Sequence, residues 1–147
     1  MNYGVVSGAL PVAVPSVMPQ GNFGLKSDTG GSIPPSLEEN VSNKGDIEKL
    51  IIKYFGKDAD MAVAIAKCES GLNPSRIGDG HLRFEKDGRL FGASYGVFQV
   101  RDLPGRFDDP DKMLNAEENI KWAKSLFDRS GWTPWSCYTN SGYERFI

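Results

Sequence analysis

Apolar residues recur at helical spacing in three stretches of this chain. Ile47, Leu50, Ile51 and Tyr54 fall at i, i+3, i+4 and i+7, the stripe of a helix with one buried side. Asp46 stands where an N-cap belongs and Gly56 where a helix stops, so a first helix is expected through Phe55. Met61, Ala64, Ile65 and Cys68 repeat the spacing in a second helix that starts near Asp58 or Asp60. Pro110 suits the first position of a helical turn. Asn115 followed by Glu118 has the capping-box spacing and opens a third helix that runs to about Arg129, before Gly131. Ile120, Ala123 and Phe127 form one face of it, with Trp122 and Leu126 alongside.

Between the second and third helices the period changes. Lys86-Asp87-Gly88-Arg89 has the chemistry of a type I′ hairpin turn, because Asp-Gly accepts the positive φ angles that such a turn requires. Leu82 and Phe84 on one arm, with Leu90 as a partner on the other, are expected to cover one face of this short β-hairpin. Trp132 to Ile147 is rich in aromatic residues and reads as a packed turn and short helix. The first 44 residues differ again: Gly, Pro and Ser recur, and prolines at 11, 15 and 19 exclude a regular helix. The apolar stretch Val5–Met18 is interrupted by Pro11 and Pro15 and has no Lys or Arg before it, a poor match to a secretory leader. Residues 1–44 therefore read as a flexible tail or linker, and 45–147 as one domain, mostly α with a small β insertion.

Composition narrows the function classes. Hydrophobic residues make up 39% and charged ones 24%, enough for a domain that folds in water. The formal net charge is −2 with both signs mixed, so there is no basic face for nucleic acid. No apolar run approaches the roughly 20 residues needed to span a bilayer, and no Gly-rich phosphate loop is present. Two cysteines and a single histidine, His81, cannot make a structural zinc site. Cys68 and Cys137 are either a disulfide or two free thiols. A bridge would close a loop of about 70 residues, contribute roughly 4 kcal/mol, and indicate an oxidising compartment.

The candidate for chemistry is Glu69. It follows Ile65 by four positions and Met61 by eight, so it extends the inward-facing stripe to the end of the second helix. An ordinary glutamate, with a pKa near 4.3, is protonated only about 0.2% of the time at pH 7. One held against an apolar wall is protonated more often, as a general acid must be. The competing expectation is that the helix ends there and the side chain turns into solvent. His81 reads as a strand-surface residue and Phe98 as core, and Ser70 has no histidine in any motif to activate it as a nucleophile.

Three blocks carry a resemblance: Cys68-Glu69-Ser70-Gly71-Leu72-Asn73-Pro74, Ser94-Tyr95-Gly96-Val97-Phe98-Gln99-Val100, and Gly131-Trp132-Thr133-Pro134-Trp135-Ser136-Cys137. Their order over most of Asp46–Tyr138 resembles the lysozyme-like superfamily, in particular the soluble lytic transglycosylase domain and the resuscitation-promoting factors of actinobacteria. The resemblance implies a lysozyme-like α+β fold and an exported or cell-wall-associated monomer acting on peptidoglycan glycan strands, with no metal or organic cofactor. It implies Glu69 as the acid, Gln99 in the sugar cleft, and a Cys68–Cys137 bridge tying the C-terminal segment under Glu69. The cleft is expected between the helical part and the hairpin. Ser94 and Tyr95 flank the nearby turn and are candidate donors to N-acetyl or hydroxyl groups; Trp135 or Trp132 is a candidate to stack on sugar, with core packing as the competing expectation. The family's Ala-Tyr-Asn-Ala-Gly stretch is replaced here by Trp135-Ser136-Cys137-Tyr138-Thr139-Asn140, with Tyr138 the candidate cleft residue.

Glycosidases commonly use a second carboxylate. Asp79, Glu85, Asp87 and Asp102 are the candidates; Asp87 is committed to the hairpin turn, and Asp79 is the best of the others, although Gly78-Asp79-Gly80 also suits a turn. A lytic transglycosylase needs no such partner, because the substrate's 2-acetamido group stabilises the cationic centre. That route is the preferred expectation. Hydrolysis by a phage- or virion-type muramidase and a non-catalytic glycan-binding module are the alternatives.

Overall fold

The computed structural model describes residues 40–147, so the expectation of a flexible tail lies, up to residue 39, outside the described residues. Three main helices carry the core: α1 (Lys44–Phe55), α2 (Ala59–Ser70) and α3 (Ala116–Ser130). Between α2 and α3 lie short strands β1 (Ile77–Gly78), β2 (Phe84–Lys86), β3 (Arg89–Phe91), β4 (Ser94–Tyr95) and β5 (Val100–Arg101). A short helix α4 (Ser136–Thr139) and a 3₁₀ turn over Gly142–Phe146 follow α3. The described residues are mostly helical with a small antiparallel β insertion and one disulfide, Cys68–Cys137.

The helix ends differ in detail from the sequence expectation. Asn43, not Asp46, caps α1, its Oδ1 accepting the Gly45 amide at 2.8 Å. Asp46 instead sits in the first turn, where its charge suits the helix dipole and pairs with Lys49 at 2.7 Å. The described chain is also packed onto the domain before Gly45. Asn40 donates to the Leu114 carbonyl at 3.0 Å and accepts the Ala116 amide at 3.1 Å, and Val41 lies against the core. Asn115 caps α3 as expected, accepting the Glu118 amide at 3.1 Å, while Glu118 turns away to Lys121 and leaves the box half made.

α2 is buried on more than one side. It is rich in alanine, and Ala62, Ala64, Ile65 and Ala66 are all sealed from solvent. Such small side chains let α1 and the Gly142–Phe146 turn pack closely around it. Ile47, Ile51 and Phe55 come from α1, Ile120 and Ala123 from α3, and Val97, Phe98 and Val100 from the β4–β5 segment. Phe98 stacks on Phe55 with ring centroids 5.4 Å apart and meets the edge of Trp135 at 5.9 Å. Its carbonyl accepts the Trp135 indole N–H at 2.9 Å.

The strands form two separate sheets. β2 and β3 make the hairpin with Lys86 opposite Arg89, and Asp87 and Gly88 take φ of 53° and 75°, as a type I′ turn requires. Phe84 pairs with Phe91 rather than with Leu90, which lies opposite Glu85 and is exposed. A single step of register decides this, because strand side chains alternate between faces. His81 belongs to a 3₁₀ turn over Gly80–Leu82 and not to a strand. The second sheet, in the order β1-β4-β5, aligns Gly78, Ser94 and Arg101 in one row and Ile77, Tyr95 and Val100 in the next.

Asn119 joins this sheet to α3. Wholly buried, it accepts the Phe98 amide at 2.8 Å and donates to the carbonyls of Tyr95 at 2.8 Å and Met113 at 3.0 Å. Gly96 passes so close that a Cβ there would lie 2.5 Å from Asn119 Nδ2. Asn119→Ala strands three buried backbone groups at about 1–3 kcal/mol each, so a loss of roughly 3 kcal/mol or more in urea unfolding is expected. A loss under about 1 kcal/mol, the scale of one ordinary hydrogen bond, would show that Asn119 is not the joint.

Candidate active site

Glu69 occupies the last turn of α2, which stops when Gly71 and Leu72 adopt left-handed φ of 68° and 60°. Its side chain does not swing into solvent. One carboxylate oxygen accepts the Cys137 amide at 3.0 Å and, more weakly, the Ser136 hydroxyl at 3.3 Å. Those two residues open α4, whose own N-cap residue, Trp135, supplies no side-chain cap. Glu69 thus serves the free amide of a helix start from another part of the chain. The Cys68–Cys137 bridge flanks this contact on both segments, with Cα atoms 6.0 Å apart.

Beside the carboxyl runs a groove of about 430 Å³. The β1-β4-β5 row of Gly78, Ser94 and Arg101 lines one part of it, and Pro134, Trp135 and Ser136 another. Leu103, Arg106 and Leu126 extend it toward α3. The β2–β3 hairpin does not line it, which corrects the expected position of the cleft. The small sheet takes that place because β1, not the hairpin arm, pairs with β4.

The predicted residues divide clearly. Glu69, Ser94, Gln99 and Trp135 share the groove; Tyr95 and Tyr138 do not line it. Tyr95 follows Ser94 on the same strand, so its side chain takes the opposite face, where it packs with Ala93 and Met113. Tyr138 packs on the core and stacks on Tyr143, with ring centroids 5.5 Å apart. Trp135 is chiefly a core residue whose edge reaches the groove, and Trp132 packs among Phe55, Phe127 and Trp135. Ser70 is buried and structural: it donates to the Val97 carbonyl at 2.7 Å and accepts the Asn73 amide at 3.1 Å.

Gln99 works mainly as a brace. Its amide nitrogen donates to the carbonyls of Gly96 at 2.9 Å and Arg76 at 3.1 Å, fastening the loop after α2 to the β4–β5 turn. Its oxygen lies where any side chain at Gly78 would go, 2.3 Å from an ideal Cβ. Gln99 itself takes a left-handed φ of 47°.

Of the four further carboxylates, Asp79 alone lines the groove. It takes the expected turn role, with a left-handed φ of 57°, and accepts a hydrogen bond from the Ser94 hydroxyl. Asp102 is fully buried, with both oxygens on Arg89 at 2.9 and 3.1 Å. Asp87 is in the hairpin turn and Glu85 is exposed on β2.

Burial raises the Glu69 pKa above the ordinary carboxylate value, and the nearby charge of Asp79 adds to the rise. The Cys137 amide, the Ser136 hydroxyl and the Arg76 cation act the other way without cancelling it. A groove-facing acid of this kind can deliver a proton to an oxygen lying in the groove. Arg76, Arg101, Arg106 and Ser136 also line the site and were not singled out from the sequence, where no spacing distinguishes them from surface residues. Only Ser136 had a legible hint, as the neighbour of Cys137.

No protein-family model and no curated protein matches the chain.

The raised pKa has a consequence for stability. Ionising Glu69 costs the folded state more than the unfolded one, so the penalty is absent below the unfolded pKa, near 4.3, and grows as pH rises through the folded value. Glu69→Gln removes it. The variant should have the higher Tm near pH 7, and the gap should shrink on acidification to about pH 4. Calorimetry across that range checks this; a gap independent of pH would mean the carboxyl titrates as a hydrated one.

Proposed function

We propose that this domain is a lysozyme-like enzyme that cleaves the bond between N-acetylmuramic acid and N-acetylglucosamine in peptidoglycan, by the lytic transglycosylase route. The observation that carries it is a half-buried Glu69 with raised proton affinity, held against a groove by the Cys137 amide. The three sequence blocks that resemble the transglycosylase domain add to it, since each contributes to that groove: Glu69, then Ser94 and Gln99, then Trp135 and Ser136.

Glu69 in its protonated form gives its proton to the glycosidic oxygen, and the C–O bond breaks as the leaving sugar takes both bonding electrons. The substrate's own acetamido oxygen closes on the anomeric carbon and spreads the positive charge. Glu69, now a carboxylate, takes the proton of the 6-hydroxyl as that oxygen attacks the same carbon, and the bond from that carbon to the acetamido oxygen breaks, its electron pair returning to the acetamido group. An anhydro ring forms and the acid is restored. The Cys137 amide supports the anionic form between the two steps, and burial favours return of the proton.

A specific observation keeps hydrolysis as a second reading. Asp79 lines the same groove and its charge acts on Glu69, as a second carboxylate would. Water in place of the 6-hydroxyl would then give a reducing end.

Digestion of purified sacculi followed by mass analysis decides between them, because anhydro products are one water lighter than hydrolysed ones. Glu69→Gln is expected to lower cleavage about 10²–10⁴-fold while glycan affinity persists. Intact sacculi with the unsubstituted protein, together with retained glycan binding, would leave a binding module on the same scaffold. The disulfide accords with action outside the reducing cytosol.

A further inference from the structure

The groove beside Glu69 continues into a second hollow of about 430 Å³, and Leu103, Arg106 and Leu126 line both. Arg129 and Trp122 form its far side. No acidic residue among those described lines this second hollow, although the chain as a whole carries a net charge of −2.

Three cations gather here. Arg106 donates through Nη1 to the Arg101 carbonyl at 3.0 Å, which fixes its guanidinium across the junction of the two hollows. Arg129 donates through Nε to its own helix at Ser125, at 3.1 Å, and lies 5.9 Å from the Trp122 ring. That hydrogen bond does not use the outer nitrogens of Arg129. Arg101 lines the first hollow, and its Nε finds no acceptor among the described residues. None of the three is in a salt bridge among the described residues. Asp102 is the carboxylate whose charge acts on Arg106, and both of its oxygens are on Arg89. Desolvation and the charges of Arg129 and Arg101 lower the pKa of Arg106. Like charges brought together in a concave, partly dry site are costly alone, and a bound anion relieves that cost.

We propose that Arg106 and Arg129, with Arg101 beside them, form a carboxylate-binding subsite that continues the Glu69 groove and holds an acidic group carried on the muramyl sugar. This rests on the glycan-cleaving reading for its ligand. The planar guanidinium fork matches a carboxylate with two parallel hydrogen bonds. N-acetylglucosamine carries no acidic group. N-acetylmuramic acid carries a lactyl arm that ends either in its own carboxylate or in a peptide stem bearing carboxylates. The subsite would therefore set which sugar lies on the α3 side of Glu69, and so which bond meets the acid.

Calorimetric titration of the full chain with three matched oligosaccharides tests this. One has peptide-bearing muramyl units, one has peptide-free muramyl units with free lactyl carboxylates, and the third is a chitin oligomer with no carboxylate. Affinity for at least one muramyl ligand should exceed that for the chitin oligomer about tenfold, and which one does so identifies the source of the carboxylate. Arg106→Gln with Arg129→Gln should bring the ratio to within about twofold. Arg129→Gln alone, at an exposed position on α3, guards against misfolding of the double variant and should reduce the ratio about threefold. Equal affinity for muramyl and chitin ligands, or a ratio that survives both substitutions, overturns the subsite. If sacculi are nevertheless cleaved, the subsite alone fails. A ratio that depends on the arginines without cleavage of sacculi upholds the subsite and removes the catalytic reading. Binding of none of the three overturns both.

Discussion

A backbone amide meeting a carboxylate organises this domain. The Cys137 N–H, at the start of α4, points at Glu69, at the end of α2. Neither group would hold that arrangement alone: a four-residue helix is too short to be stable by itself, and a glutamate at a helix end is free to leave for solvent. The covalent bridge between Cys68 and Cys137 joins the residue before Glu69 to the residue that donates the amide. The meeting of the two segments is therefore a property of the connectivity as well as of the packing. Closing so long a loop contributes several kcal/mol to the fold by restricting the unfolded chain, so the element that orients the candidate acid also supports the whole domain.

The rest of the groove is set by how little space the core leaves. Asn119 fixes the β4–β5 turn to α3 through three backbone groups, and Phe98, inside that turn, is clamped between Phe55 and Trp135. With the turn immobilised, strand alternation sends Ser94 toward Glu69 and Tyr95 away from it. Gln99 can brace the opposite wall because Gly78 has no side chain to occupy its place. Polar groups that are buried and satisfied in this way make a rigid surface, which is what a site needs if it is to raise the proton affinity of one carboxyl without rearranging around it.

Charge is distributed unevenly along that surface. The carboxyl end pairs Glu69 with Asp79, and the end toward α3 gathers Arg101, Arg106 and Arg129. An acid of raised proton affinity lies at one end, and arginines in no salt bridge among the described residues lie at the other, the arrangement on which the proposed substrate with an acidic branch rests. Proposed catalysis and proposed recognition thus depend on the same physical condition, incomplete solvation of ionisable groups along a groove.

Helical periodicity specified α1, α2 and α3 and part of their buried faces, because the 3.6-residue repeat is a local property, whereas the burial of α2 on further sides came from packing. Asp-Gly likewise specified the hairpin turn, whose positive φ angles few other pairs accept. Glu69 was legible at the end of an inward stripe, and the family resemblance of the sequence blocks pointed to Ser94, Gln99, Trp135 and the cysteine pairing. Other features were decided only in three dimensions. Asn43 displaced Asp46 as the cap through a local competition between polar side chains. Phe91 displaced Leu90 through one step of strand register, and Tyr95 and Tyr138 were taken into packing rather than the groove. Arg101, Arg106 and Arg129 follow no sequence spacing. They come together because β5, the loop after it and the end of α3 converge, and convergence of distant segments is a property of tertiary packing that no local pattern records.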